Sequence, residues 1–335
     1  MNSNGAPAQL GSLVNVPGLE VGQHTLSARL TGCSVVLARH GAVAAVDVRG
    51  AAPGTRETDL LDASNLVQRV HAIALCGGSA FGLDVAGGVM RWLDERGIGF
   101  ATPHGAVPIV PAAVLFDLSV VRPGEDARAR PDATSGYAAC EAATSSAPLS
   151  GNVGAGAGAS VGKLFGTTRA MKGGIGHASV RAGPWVVGAM VACNAVGDVL
   201  DPASGRILAG ARSADGLSLV NTQAALLQGQ SLQAPVAGTH TTIGVIGTNA
   251  LLDKAQAKRL AMSGHDGLAR SIRPVHTPYD GDTLFAMATG AHNAAPDLLL
   301  LSAMSAEAVA LAVVDAVLSA HTVQTVTGEL PGVAS

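Results

Sequence analysis

The chain has 335 residues, 48% of them apolar and only 13% charged, with a formal net charge of −3. That composition excludes a disordered chain and allows a large buried core. Near-balanced charge with 3% aromatic residues offers neither a basic stripe nor stacking platforms, so nucleic acid is not an expected partner. Length alone allows one large domain or two of about 100–200 residues each; we read 1–335 as one.

The first residues, Met1-Asn2-Ser3-Asn4-Gly5-Ala6-Pro7, have neither a positive start nor an apolar run, and a cytoplasmic enzyme is the expectation. Segments 31–38 and 42–48 are rich in β-formers and flank Arg39-His40-Gly41, which predicts a hairpin. His71 to Cys76 reads as a strand, Gly77-Gly78-Ser79 as a turn, and 81–93 as a helix. Gly154-Ala155-Gly156-Ala157-Gly158 and Gly162-Lys163 suggest a phosphate loop, but Ala157 and Leu164 stand where Gly and Ser or Thr are needed, so no nucleotide cofactor is expected. A strand over 185–193 turns at Asn194-Ala195-Val196-Gly197. Residues 204–240 loosen into a surface linker with one short helical stretch near 224–227.

Thr241-Thr242-Ile243-Gly244-Val245-Ile246 then starts a strand abruptly, and Asp253 with Gln256 forms a capping box for a helix that ends before Pro274. The apolar run 298–320, interrupted by Glu307 and Asp315, predicts a buried helix capped by Ser305 rather than a membrane span. Cys33, Cys76, Cys140 and Cys193 read as buried free thiols. His177, His240, His265, His276 and His292 lack paired ligand spacing; no metal is expected and they read as ordinary surface histidines. The mixture of strands and apolar helices suits a layered α/β or α+β sandwich.

One constellation carries chemistry. A threonine exposed as a new N-terminus supplies both a hydroxyl nucleophile and an α-amine of pKa about 8 as its base. Such a residue needs a flexible segment before it, a strand to hold it and acids to orient the amine. Gly238-Thr239-His240, the strand from Thr241, and Asp280-Gly281-Asp282 meet those needs. Each piece also has an ordinary reading, the first as β-branched packing and the last as a solvated turn.

Five ordered stretches add to this: Val46-Asp47-Val48-Arg49-Gly50, Cys76 through Leu83, Gly154 through Lys163, Asn194-Ala195-Val196-Gly197, and Pro274-Val275-His276-Thr277 to Asp280-Gly281-Asp282-Thr283. In them, across about 16–320, the chain resembles the DmpA-type peptidase family, which includes β-peptidyl aminopeptidases and the nylon-oligomer hydrolase NylC. The resemblance implies a four-layer αββα sandwich of the DmpA and ornithine acetyltransferase type, in the α+β class. It also implies cleavage between His240 and Thr241 into an α chain 1–240 and a β chain 241–335, homotetramers of such pairs, and no cofactor. Carried over by position, Thr241 is the nucleophile, Asn194 polarises the carbonyl oxygen, Asp280 and Asp282 are the pair beside the nucleophile, and Lys163 is the neighbouring lysine. Phe116, Gly77 and Gly78 are the substrate-binding candidates.

The chain departs from the family pattern twice: Phe116 precedes Asp117 where many members have tyrosine, and His240 stands where relatives tend to have Asn or Gly. Asp280-Gly281-Asp282 is closer to the nylon-hydrolase branch than to the Ser and Glu of the aminopeptidases. The expected activity is that of an aminopeptidase on small peptides or amides, β-peptides included. An endo-hydrolase of 6-aminohexanoate oligomers and an acyltransferase related to ornithine acetyltransferase are the alternatives.

Overall fold

The computed structural model describes residues 11–231 and 239–334. The expected linker 204–240 therefore lies partly outside the described residues; within them it carries the short helix α3, Thr222–Leu227.

The principal sheet is built from β1 (Glu20–Thr25), β2 (Gly32–Val48), β3 (Thr55–Arg56), β4 (Arg69–Cys76), β5 (Ala112–Val114), β6 (Gly174–Ala182), β7 (Trp185–Asn194), β8 (Thr241–Ala250) and β9 (Thr283–His292). Its order is β6-β7-β8-β9-β2-β4-β5-β3, with β1 also on β2; β8/β9 and β4/β5 pair in parallel and the remaining pairs are antiparallel.

The expected hairpin is one long strand instead. Residues 33–37 of β2 pair with β4 and 43–48 pair with β9, with a register shift between Leu37 and Ala42 and Gly41 at φ +73°. A hairpin needs the two runs to pair with each other. Here the first run lies between β1 and β4, Ala42 and Val43 stay on β4 beyond the bulge, and the second run gains β9, so the strand passes from one sheet layer into another.

Alternation along the strands defines those layers. Val36, Ala44 and Val46 of β2, Ile73 and Leu75 of β4, Ile243 and Val245 of β8, and Phe285 and Met287 of β9 meet in an inner core between the two sheet layers. The opposite face of β7, β8 and β9 packs on α4 (Lys254–Ser271) and α5 (Leu298–Leu318). On the far side, Val35, Leu37, Ala72 and Ala74 pack on α1 (Val85–Asp94) and α2 (Ala133–Glu141). Helix, sheet, sheet, helix is the four-layer order expected from the resemblance.

Three helix details differ from the sequence reading. Residues Ser79–Asp84 form a 3-10 helix, and the α-helix starts only at Val85 because Phe81 is 64% exposed and no apolar face precedes it. The α5 cap is Asp297, whose side chain accepts from Leu300 N. Ser305 is instead buried inside that helix and donates to the Leu260 carbonyl of α4. Although α5 is long and apolar enough to cross a membrane by composition, its buried residues pack on α4, β6 and β7. Small residues permit that approach: a Cβ at Gly176 would lie 2.2 Å from the Ala312 carbonyl oxygen. The Asp253 capping box forms as expected, with Gln256 N donating to Asp253 and Asp253 N to Gln256. All four cysteines are buried free thiols.

Candidate active site

Thr241 is the first residue of β8 and the register partner of Asn194, the last residue of β7. Strand alternation puts Thr241 on the face of Ile243 and Val245, and Asn194 on that of Met190 and Ala192, so both open onto one end of the space between the sheets.

Thr241 is only 2% exposed. Its Oγ1 donates to the carbonyl oxygen of His240 at 2.5 Å. The same oxygen accepts the Gly281 N–H at 3.0 Å, where the chain before β8 runs beside Asp280. Hydroxyl and backbone donor thus meet on the carbonyl of a single peptide bond. An N–H held against that oxygen stabilises the negative charge that forms there when a nucleophile adds. Position 281 must be glycine for this contact, because a Cβ there would lie 2.9 Å from Thr241 Oγ1 and 2.6 Å from the Ala52 carbonyl oxygen.

The two aspartates are buried and differ in their bonding. Asp282 Oδ1 accepts from Thr242 N at 2.7 Å, and Oδ2 accepts from His276 N at 3.0 Å, with His276 Nδ1 at 2.8 Å. Asp280 Oδ2 accepts from Thr277 N and Oγ1 at 2.8 and 2.6 Å, while Oδ1 is buried without a hydrogen-bond partner. Burial, and then the neighbouring charge of Asp282, push the Asp280 carboxyl up to about 6.

Lys163 is buried with Nζ 2.9 Å from both the backbone and side-chain oxygens of Asn194 and 3.4 Å from the Thr239 carbonyl. Burial pushes its ammonium down to about 7, against the opposing pull of Asp280. Asn194 Oδ1 also accepts from Ser160 N, and Nδ2 donates to the Phe116 carbonyl at 3.0 Å. These donors fix the amide orientation and leave one Nδ2 hydrogen for a substrate oxygen.

Phe116 therefore reaches the site through its backbone. The Gly77 and Gly78 turn is held by Asp117, which accepts from Gly78 N at 2.8 Å and from Thr31 Oγ1 at 2.6 Å. His240 is buried, and burial with the nearby Lys163 pushes its imidazole down to about 3.

Several residues were not anticipated. Lys172 is fully buried, its Nζ bound by the carbonyls of Gly156, Ala159 and Gly173, and it ties the glycine-rich segment to the site. Its place between apolar and glycine residues in Met171-Lys172-Gly173 was the available signal. Arg29 is likewise buried and donates to the Asp117 and Leu118 carbonyls, a role with no sequence signature. His177, His240 and His265 are buried and His276 is mostly so, which corrects the surface reading; spacing carries no information about depth. Among the described residues, no three or more His, Cys, Asp or Glu side chains converge as metal ligands.

The αββα layers are the fold of N-terminal-nucleophile hydrolases. The model of peptidase family S58 matches residues 11–330, and the chain belongs to that family, a hydrolase of peptide or amide bonds. An aminopeptidase of Mycobacterium leprae, described as uncharacterized, is 45% identical over 318 residues, which is 90% of this chain and 84% of that one. A 6-aminohexanoate-oligomer endohydrolase of a Kocuria species is 33% identical over 276 residues, 82% of this chain and 73% of its own.

Two solved structures share the fold. A Burkholderia β-aminopeptidase superposes with a TM-score of 0.68 at 23% identity, covering 100% of this chain and 94% of its own. The L-aminopeptidase D-Ala-esterase/amidase of Ochrobactrum anthropi superposes with a TM-score of 0.70 at 18% identity, covering 98% and 93%.

Proposed function

We propose that the protein is a self-processing aminopeptidase whose nucleophile is Thr241. The observation that carries this reading is the contact of Thr241 Oγ1 with the His240 carbonyl oxygen at 2.5 Å, with Gly281 N–H on the same oxygen. Attack by Oγ1 on the His240 carbonyl carbon moves the acyl group from nitrogen to oxygen. The hydroxyl proton ends on the departing amine, and water then hydrolyses the ester. In this reading Lys163, part-neutral near pH 7, and Asp280 with its unpartnered Oδ1 relay that proton.

In the mature site the freed α-amine serves as base and Oγ1 forms an acyl-enzyme with a small peptide or amide. Asn194 Nδ2 donates to its oxyanion. Processed pairs assemble as homotetramers in this reading.

Intact-mass and N-terminal analysis of purified protein tests the central step. Wild type is expected to yield a chain beginning at Thr241, and Thr241→Ala to remain full length. Full-length wild type that turns over an amide substrate overturns the proposal.

The Asp280-Gly281-Asp282 pattern and the similarity to an oligoamide endohydrolase support a second substrate class, the interior bonds of ω-amino-acid oligomers. Free-amine and N-blocked oligomers separate the two, since an aminopeptidase leaves the blocked set intact.

A further inference from the structure

His276 stands outside the set of residues given a role so far. It holds a left-handed backbone, φ +56°, which is unfavourable for a residue with a Cβ. In that conformation both its backbone N–H and its Nδ1 face the same oxygen, Asp282 Oδ2, at 3.0 and 2.8 Å. The other oxygen of Asp282 accepts the N–H of Thr242, the residue after the proposed nucleophile, at 2.7 Å.

Behind His276 stands His265 of α4, fully buried, its ring edge-on at 4.8 Å between centroids. His265 Nε2 lies 3.0 Å from the Asp47 carbonyl oxygen and 3.7 Å from Asp47 Oδ2, whose carboxylate is itself paired with Arg49 and Lys258. The other ring nitrogens, His265 Nδ1 and His276 Nε2, are buried without hydrogen-bond partners. The hydrogen-bonded nitrogen of each ring is the one assigned the proton, His265 Nε2 toward Asp47 and His276 Nδ1 toward Asp282.

We infer that His276, braced by His265, is a positioning residue that orients the Asp282 carboxyl and so fixes the backbone that carries Thr241. The inference rests on the Thr241 reading. Asp282 receives donors on both oxygens, from Thr242 next to the proposed nucleophile and from His276, whereas Asp280 has a bare Oδ1. Without the imidazole donor, Asp282 Oδ2 keeps only the backbone N–H of residue 276, and the carboxyl that holds Thr242 N is freer to turn.

The test uses the backbone itself as a control. Glycine and asparagine both tolerate a left-handed φ, but only asparagine places a donor, Nδ2, where the imidazole Nδ1 stood. Wild type, His276→Gly and His276→Asn are synthesised in a cell-free system, diluted into neutral buffer, and the release of the chain beginning at Thr241 is timed.

His276→Gly is expected to cleave about tenfold more slowly, and His276→Asn to recover most of the rate. A wild-type rate in His276→Gly overturns the inference, and so does a rate for His276→Asn no closer to wild type than that of glycine. Thr241→Ala runs in parallel. Cleavage of that variant at the same bond sinks the proposed function itself, whereas an inert Thr241→Ala beside an unslowed His276→Gly sinks only the role of His276.

Discussion

At the scale of the residue, the candidate site depends on groups that accept or donate in only one way. Asn194 is oriented by Lys163 and Ser160 on its oxygen and by the Phe116 carbonyl on its nitrogen, so its amide cannot turn without losing these bonds. Gly281 supplies an N–H to the His240 carbonyl and has no side chain to obstruct Thr241. Gly281→Ala is therefore expected to slow appearance of the Thr241 chain by about 100-fold, the cost of displacing a reacting pair by about 1 Å. A denaturing gel over time measures it. Processing at the wild-type rate would mean that this close approach has no bearing on the chemistry.

At the scale of the element, β2 and α4 do most of the positioning. The bulge in β2 gives one strand two sets of partners and thereby joins the sheets that enclose the site. Helix α4 buries Ala257, Leu260, Ala261 and Leu268 against the outer face of the sheet, and His265 lies among them. Its first turn is held by the reciprocal bonds of Asp253 and Gln256. Asp253→Ala is expected to cost about 1 kcal/mol. In a chain of this size that lowers the melting midpoint by about 2 °C, readable by calorimetry, with processing unaffected because the cap lies far along the helix from His265. The capping box was legible in sequence because its signal is local, four residues long and specific to a helix start.

At the scale of the whole molecule, the place of β8 decides what cleavage does. The strand beginning at Thr241 lies between β7 and β9, and its apolar residues contribute to both cores. Separating 241–335 from 1–240 would break the β7/β8 and β9/β2 ladders of the principal sheet and expose both faces of the sheet. The fragments are expected to run as two bands in denaturant and as one peak by native size exclusion; separate native peaks would contradict the layer assignment.

Acid is expected to weaken the fold. Burial pushes His177 and His265 down to about 4 and His240 to about 3, so the folded state holds all three neutral. Groups with depressed folded pKa contribute stability that is full above the unfolded value of about 6.5 and is lost as pH falls toward about 4. Asp280, raised to about 6, and the buried Asp117 and Asp198, also raised by burial, act in the opposite sense, while His71, lowered by burial, adds to the three histidines. Thermal melts at about pH 7.5 and 4.5 measure the loss, and equal midpoints would refute it.

What the sequence determined by itself was whatever depends on near neighbours or on ordered motifs. The strand opened by Thr241, the helix after Asp253 and the buried helix within the run 298–320 could all be read from types and spacing, and the candidate quintet Thr241, Asn194, Asp280, Asp282 and Lys163 was chosen from family resemblance. Only the tertiary structure decided which strand pairs with which, and so turned an apparent hairpin into a bridge between two sheets. It alone placed Lys172, Arg29, His265 and His276 in the interior. The reason is physical: burial and pairing are relations between distant segments, and a polar side chain in a linear sequence gives no sign of whether its partner will be water or a carbonyl more than a hundred residues away.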